Sequence, residues 1–338
     1  MTTAISTAWS LSGITRVWPA ADGAVTCERV DEDGRLRAIR IDSDTRVSPL
    51  PYASDPALPT LRPDHLALVV HRWGRRAVQI GNGIVRKHLR RGRTADLVDR
   101  HDALGPAAEA AGLVLARIVS ADPHVLDNEY LDGENLSDAR APYEAWEAFA
   151  AVWPRFAGCS APLPVHSGEL EALTLTRWVT RALIHRLLPD AAAAGSLAAA
   201  LSRDLREHSD PLVTSHRDLH EKQLLWDGDR LALIDLDTAS QAEGALDLAN
   251  LIAHTQLSFV RGTLDAATAV SRLHLFDEVA GCLPVSDHRL ATHLASARLR
   301  LGCVHAFRPA STPWLPAWIE YALSASPSTS LPPCGEES

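Results

Sequence analysis

One string in the second half of the chain limits its fold more than any other feature. It reads Ser215-His216-Arg217-Asp218-Leu219-His220-Glu221-Lys222-Gln223-Leu224-Leu225 and is followed by a turn at Asp227-Gly228-Asp229. An apolar strand over 231–234 comes next and ends in Asp235-Leu236-Asp237. The form is H-R-D-x-x-x-x-Q, a strand, then I-D-x-D. An isolated H-x-D carries little information, but the whole series followed by Ala245-Leu246-Asp247-Leu248-Ala249 is far rarer by chance. Phosphoryl transfer asks a protein for such groups: a carboxylate to orient and deprotonate an acceptor hydroxyl, and oxygens to hold Mg²⁺ on the phosphates. Asp218 can be that carboxylate. Gln223 offers an amide oxygen and Asp235 a charged one, and few protein ligands suffice because Mg²⁺ keeps several waters. The His216 ring can bond nearby backbone and fix the loop.

The flanks divide into regions of different pattern. Residues 1–60 read as a β-rich extension, with strands over 14–18, 24–30 and 36–41 and a hairpin-type turn at Asp31-Glu32-Asp33-Gly34. The Pro-, Ser- and Asp-rich stretch 48–63 reads as a linker. Residues 61–133 spell strand, strand, strand, helix, strand, strand, with a polar helix over 94–104 that Gly105-Pro106 interrupts. Residues 134–325 are largely helical, with helices expected over 137–157, 168–188, 191–206, 244–262, 264–280, 287–305 and 313–324. The Ser/Pro/Gly/Glu-rich tail, 326–338, reads as disordered.

On these residues the chain resembles the aminoglycoside phosphotransferase/choline kinase-type family. The likeness covers roughly 65–325 and is most specific over 216–247. It implies an α+β, bilobal, protein-kinase-like fold: a small β-rich N-lobe with one main helix (61–133) and a larger, mostly helical C-lobe (134–325). It further implies Asp218 as catalytic base, Gln223 and Asp235 as Mg²⁺ ligands, and Asp247 as a brace for the catalytic loop. Many members carry Asn where this chain has Gln223; the Gln form is similar to that of bacterial maltokinase-like sugar kinases and points away from an aminoglycoside antibiotic as substrate.

The same resemblance assigns a nucleotide side. Kinases hold the α- and β-phosphates with a lysine on the third strand of the small lobe. Lys87 lies in such a strand (84–89), and of the 33 lysines and arginines only Lys87 and Lys222 are lysines. In a chain that otherwise uses arginine, lysine persists best where a compact ammonium is needed. The family pairs this lysine with a helix carboxylate, for which Asp102 is the choice over Asp99 and Glu109. The segment 128–133 stands as the hinge, where backbone groups of Glu129 and Leu131 would meet adenine. Lys222 would contact the γ-phosphate or the acceptor. Gly81-Asn82-Gly83 is no dinucleotide fingerprint, and there is no Walker A string. On the acceptor side His220, Glu221 and Asp237 are the nearest polar groups in sequence; Asn250, His254, Trp314 and Trp318 are more distant candidates.

Composition narrows the partners. A formal net charge of −9 argues against nucleic acid and leans toward a cationic small substrate. No basic run with a long apolar stretch follows Met1, and no apolar span long enough for a membrane exists. The five cysteines are scattered and form no CxxC pair, which places the protein in a reducing cytoplasm. The leading expectation is a kinase moving the γ-phosphoryl of ATP, with Mg²⁺, to a hydroxyl of a sugar, amino sugar or aminoglycoside-like acceptor. The alternative is a non-catalytic kinase-like binding protein in a biosynthetic pathway. A protein kinase fits poorly, because no A-P-E element follows Asp237.

Overall fold

The computed structural model describes residues 3–20, 22–138, 140–324 and 329–332. A short helix, α1 (Ala4–Ser10), opens the chain, and Thr3 caps it by accepting from the Ser6 amide. The alternating stretch that follows forms a four-stranded antiparallel meander of β1 (Ile14–Pro19), β2 (Val25–Val30), β3 (Leu36–Ile41) and β4 (Val47–Leu50). Its inward residues do not close on one another. Val17, Val25, Cys27, Ile39 and Ile41 share a core with Leu175, Val179, Leu201, Leu299, Phe307 and Ile319 from the helical half of the chain.

The stretch expected as a linker is packed structure. Beyond β4 and a 3-10 turn (Tyr52–Ser54), Leu58 and Leu61 are fully buried against Ala77. Asp55 is also buried; its Oδ2 meets the His71 ring at 3.1 Å and accepts from the Gly74 amide at 2.8 Å. Polar composition concealed this because the burial comes from two leucines and one carboxylate spaced three residues apart.

Next come β5 (Ala67–Arg72), β6 (Arg76–Gly81), β7 (Ile84–Leu89), α2 (Arg93–Ala111), β8 (Val114–Leu115), β9 (Ile118–Asp122) and β10 (Val125–Glu129). Five of these strands form an antiparallel sheet in the order β5-β6-β7-β10-β9, and Leu97 of α2 packs on Leu89 and Leu126. The helix runs through Gly105-Pro106 instead of stopping there. Proline removes one backbone donor, and the burial of Leu104, Ala107, Ala108 and Ala111 outweighs that loss. Gly112 ends the helix at φ +84°, a left-handed cap that a side chain would resist.

The remaining chain is mainly helical: β11 (Glu134–Asn135), α3 (Tyr143–Gly158), α4 (Gly168–Ile184), α5 (Ala191–Glu207), β12 (Leu212–Ser215), β13 (Leu224–Trp226), β14 (Leu231–Leu233), β15 (Ser240–Glu243), α6 (Gly244–Val260), α7 (Ala266–Gly281), α8 (Asp287–His305) and α9 (Leu315–Leu323). Helices α3, α6, α7 and α8 enclose a core that includes Trp146, Phe149, Trp153, Phe276 and Trp318. Among the described residues no helix is long and apolar enough to cross a membrane. The expected tail lies outside the described residues except for 329–332, where the carbonyls of Thr329 and Ser330 accept from Gln256 on α6.

Candidate active site

Two short ladders build the site. Strand β12 pairs antiparallel with β15, Ser215 opposite Ser240, so the loop from His216 starts beside the segment that ends at Ala239. Within that loop, β13 pairs with β14 around a turn in which Asp227 Oδ1 accepts from the Asp229 and Arg230 amides. The Ile234 amide donates to the Gln223 carbonyl at 3.0 Å. Gln223 and Asp235 therefore leave adjacent strands at neighbouring positions.

The loop is held from below by Asp247, buried in the first turn of α6. Its Oδ2 accepts from Ser215 Oγ and the His216 amide, each at 2.7 Å, and its Oδ1 from the Arg217 amide at 2.7 Å. Burial pushes the Asp247 carboxyl above its usual range, against these donors, which favour the charged form. His216 Nε2 lies 2.9 Å from the Ile234 carbonyl and so carries the proton, while Nδ1 accepts from the Asp218 amide at 3.3 Å. With both ring nitrogens engaged, His216 has no lone pair left for a substrate proton. Arg217 sits at φ +68°, a left-handed conformation costing about 1–2 kcal/mol. Its peptide groups are fixed on both sides, the amide by Asp247 and the carbonyl by Asn250 Nδ2 at 3.2 Å. What emerges from this clamp is Asp218, exposed, with no hydrogen bond to its carboxylate among the described residues.

Across the cleft, Lys87 on β7 reaches the same place. Its ammonium donates to Asp235 Oδ1 at 2.7 Å and to Asp237 Oδ1 at 2.5 Å, and its side chain is 13% exposed. Burial opposes its charge, but Asp237 and Asp235 outweigh that and raise its pKa. For Asp235 burial acts upward, yet Lys87 and Arg76 hold the carboxyl far below the ordinary range. Asp235 adopts φ +59°, a second left-handed non-glycine residue in the site.

Several expectations meet a different geometry. Asp102 is not the partner of Lys87: its side chain is 73% exposed. The phase of α2 is set by Leu97 and Leu104, which turns Arg100 and His101 inward, and Arg100 donates to the Ala239 carbonyl. Asp237, expected beside the acceptor, faces Lys87 and Arg76. Asn250, expected on the acceptor side, is buried; it clamps the loop through Arg217 and accepts from Arg300 at 2.6 Å. Trp318 is fully buried, with its indole N–H on the Arg298 carbonyl. At the hinge, the Glu129 amide donates to Arg117 and the Tyr130 amide to Gly83, whereas the Leu131 backbone has no hydrogen bond among the described residues.

Sequence reasoning missed three contributors. Arg76, at the start of β6, donates to Asp237 Oδ2 at 3.2 Å. Asp55 fixes the β5–β6 turn above it. Glu28 of β2 accepts from the His71 amide at 2.6 Å, which ties the extension to β5. The run Arg72-Trp73-Gly74-Arg75-Arg76 was a signal for the first; the other two are single carboxylates with no local mark.

On the opposite side of the loop, α6 presents one face at four-residue spacing. Asn250 bonds the loop at Arg217, His254 stacks on His220 with centroids 4.7 Å apart, and Ser258 donates to Glu221 at 3.2 Å. Glu221 is buried and turned toward α6. Lys222 is exposed and its ammonium has no carboxylate partner among the described residues.

The two carboxylates that share the Lys87 ammonium are hard oxygen donors of the kind a divalent cation takes, and the Gln223 amide nitrogen, one strand over, lies 3.3 Å from His220 Nε2.

Comparison with known proteins gives the family and the fold. The model of the phosphotransferase enzyme family, APH, matches residues 67–282, well over half of the chain. No curated protein matches the sequence. Among solved structures, the amicoumacin kinase hAmiN in complex with AMP-PNP, Ca²⁺ and Ami is similar at a TM-score of 0.58 and 12% identity, over 80% of this chain and 90% of that one. An aminoglycoside-3'-phosphotransferase of type VIII gives 0.53 and 21%, over 74% and 100%. The choline kinase LicA from Streptococcus pneumoniae gives 0.51 and 12%, over 79% and 95%. At these identities the structures show a shared, protein-kinase-like fold. With a family model spanning both the Lys87 strand and the catalytic-loop segment, the chain belongs to the phosphotransferase enzyme family and is a small-molecule kinase.

Proposed function

We propose that the protein transfers the γ-phosphoryl of ATP to a hydroxyl of a small polyhydroxylated acceptor of the sugar or amino sugar class, with Asp218 as the general base. The observation that carries this reading is the unpartnered Asp218 carboxylate, presented by a loop clamped through Asp247 and His216 that leads into the β13–β14 hairpin, beyond which Asp235 meets Lys87. In the reaction the Asp218 carboxylate accepts the proton of the acceptor hydroxyl as its oxygen bonds to the γ-phosphorus. The bond to the β,γ-bridging oxygen breaks, and ADP carries that electron pair away. Gln223 and Asp235 would hold Mg²⁺, which when bound neutralises charge on the β- and γ-phosphates. Lys87 would move from the two carboxylates onto the α- and β-phosphates, and Arg76 would approach them from β6. The Glu129 carbonyl and the free Leu131 amide would meet the adenine edge.

Measured ADP release with Mg-ATP and an accepted hydroxyl substrate tests the base. Asp218→Ala should lower kcat by about 10²–10⁴-fold, the usual worth of a positioned general base, while Mg-ATP still binds. Retention of full turnover in that variant would remove Asp218 from the role. Among the described residues Lys87 meets Asp235 and Asp237 and no carboxylate of α2, which favours a second reading, a non-catalytic binding module. Calorimetry separates the two, because such a module would bind no Mg-ATP.

A further inference from the structure

The wall of the site beyond Asp218 is cationic, contrary to what an overall charge of −9 leads one to expect. Helix α6 runs on from His254, stacked over His220, to Arg261 seven residues later, about 10 Å along the axis. The Arg261 guanidinium lies over the Trp314 ring, 5.5 Å from its centroid, and the other neighbour of that ring is His305, at 5.0 Å. The His305 carbonyl accepts from the Arg308 amide, which places Arg308 in the same corner. Neither arginine has a carboxylate partner among the described residues, although Arg308 is half-buried. The 3-10 turn that follows, Pro309–Ser311, packs on β1 of the N-terminal extension, which brings Arg16 alongside. Arg16 has only a loose partner, Glu28, at 3.7 Å.

These groups feel one another and the loop. Burial, then Arg16 and Arg261, depress the Arg308 pKa, and Asp218 is the acid that opposes them. Lys222, exposed beside Glu221 on the same loop, is a further cation with no carboxylate partner among the described residues. Of the nearby acids, Glu221 is turned toward α6, where its Oε1 accepts from Ser258 and its Oε2 lies 3.7 Å from His254 Nδ1, and Asp218 is needed for the proton. Desolvating an unpaired guanidinium is costly, so a half-buried arginine held without a carboxylate is a site prepared for an anion.

We infer that the acceptor carries, besides its reacting hydroxyl, an anionic group, a carboxylate or a phosphate, gripped by Arg308, Arg261 and Lys222 with Arg16 supplied by the N-terminal extension. This rests on the phosphotransferase reading above and narrows its acceptor from amino sugars to acidic ones. It also assigns the extension a part in substrate recognition.

The test uses the full chain loaded with Mg-AMP-PNP and four matched hexoses: glucuronate, glucose 6-phosphate, glucose and glucosamine. Calorimetry measures binding. The expected result is that at least one acidic hexose binds roughly tenfold or more tighter than glucosamine, the worth of one charge-assisted contact. The carboxylate and phosphate arms tell which anion is preferred. In Arg308→Glu the order of acidic and amino sugar should reverse; in Arg261→Gln, an exposed position that tolerates change, the preference should shrink. Glucosamine binding tightest, or all four hexoses binding alike, would overturn the inference while leaving the kinase reading in place. Failure of Mg-AMP-PNP itself to bind would instead sink the kinase reading.

Discussion

Asp247→Asn tests whether the catalytic loop is held in place by one carboxylate. The carboxylate accepts three hydrogen bonds at 2.7 Å, two of them from the buried amides of His216 and Arg217. Asparagine has one acceptor oxygen. Whichever way the amide turns, its NH₂ faces at least one backbone donor and leaves that N–H unsatisfied, at about 1–3 kcal/mol. The bonds that survive lose charge assistance, worth about another 1 kcal/mol. The total, about 2–4 kcal/mol, falls on a loop whose Arg217 is already in the left-handed region. Relaxation of that residue would swing Asp218 away from the cleft. Read as a local opening, the loss should lower hydrogen-exchange protection of the His216 and Arg217 amides by roughly 30- to 10³-fold. Protection in the buried middle of α8 should change little. ADP release should fall in parallel, because the opened loop no longer presents its base. Unchanged protection at 216 and 217 in a folded variant would refute the claim that Asp247 holds the loop.

Other perturbations probe different links. Glu243 is buried with Arg289 in a two-bonded pair at 2.7 Å. Burial alone would raise its pKa, but His293 and Arg289 outweigh that and hold it at about 2 against an ordinary 4.5. A depressed carboxylate stabilises the fold above its unfolded pKa and loses that contribution as pH falls through the folded value, so about 3 kcal/mol should drain away between about pH 4.5 and 2. Urea midpoints across that window should fall more gently in Glu243→Gln; parallel slopes would contradict the assignment. Ile41→Ala, in a strand of the extension, should cost about 2–5 kcal/mol and lower a single cooperative unfolding transition, since Ile41 shares its core with α4 and α8; a separate early transition for the extension would disprove the shared core. Lys87→Met leaves Arg76, 3.9 Å from Asp235 and 3.2 Å from Asp237, as the remaining cation on that pair. Mg-ATP affinity should drop roughly tenfold, while Mn²⁺, followed by paramagnetic resonance without nucleotide, should bind more tightly; equal Mn²⁺ binding would show that the ammonium does not compete for that site.

The form of the 216–237 segment was legible in the sequence because its parts lie within one short stretch of chain and one helix turn. Gln223 and Asp235 flank the β13–β14 ladder, whose pairing follows from a tight turn and two short apolar runs, and Asp218 lies five residues before Gln223. Lys87 was legible for another reason: in a chain that uses arginine almost everywhere, a lysine in the middle of a strand marks a place where the ammonium itself matters. Neither inference needed to know how distant segments pack.

Where packing decides, local pattern was silent. The polar face of α2 pointed to Asp102 over Asp99 and Glu109, and only the seating of Leu97 and Leu104 turns Arg100 toward the loop instead. Arg76 meets Asp237 from 161 residues away, and Glu28 meets His71 from 43. The expected linker became core, and the extension became part of the helical lobe, because the inward face of its sheet has no apolar partner of its own. Hydrophobic period tells which face of an element must be covered. The choice of what covers it, and so of which charges end up side by side, is made by the fit of surfaces far apart in the chain, and that fit exists only in three dimensions.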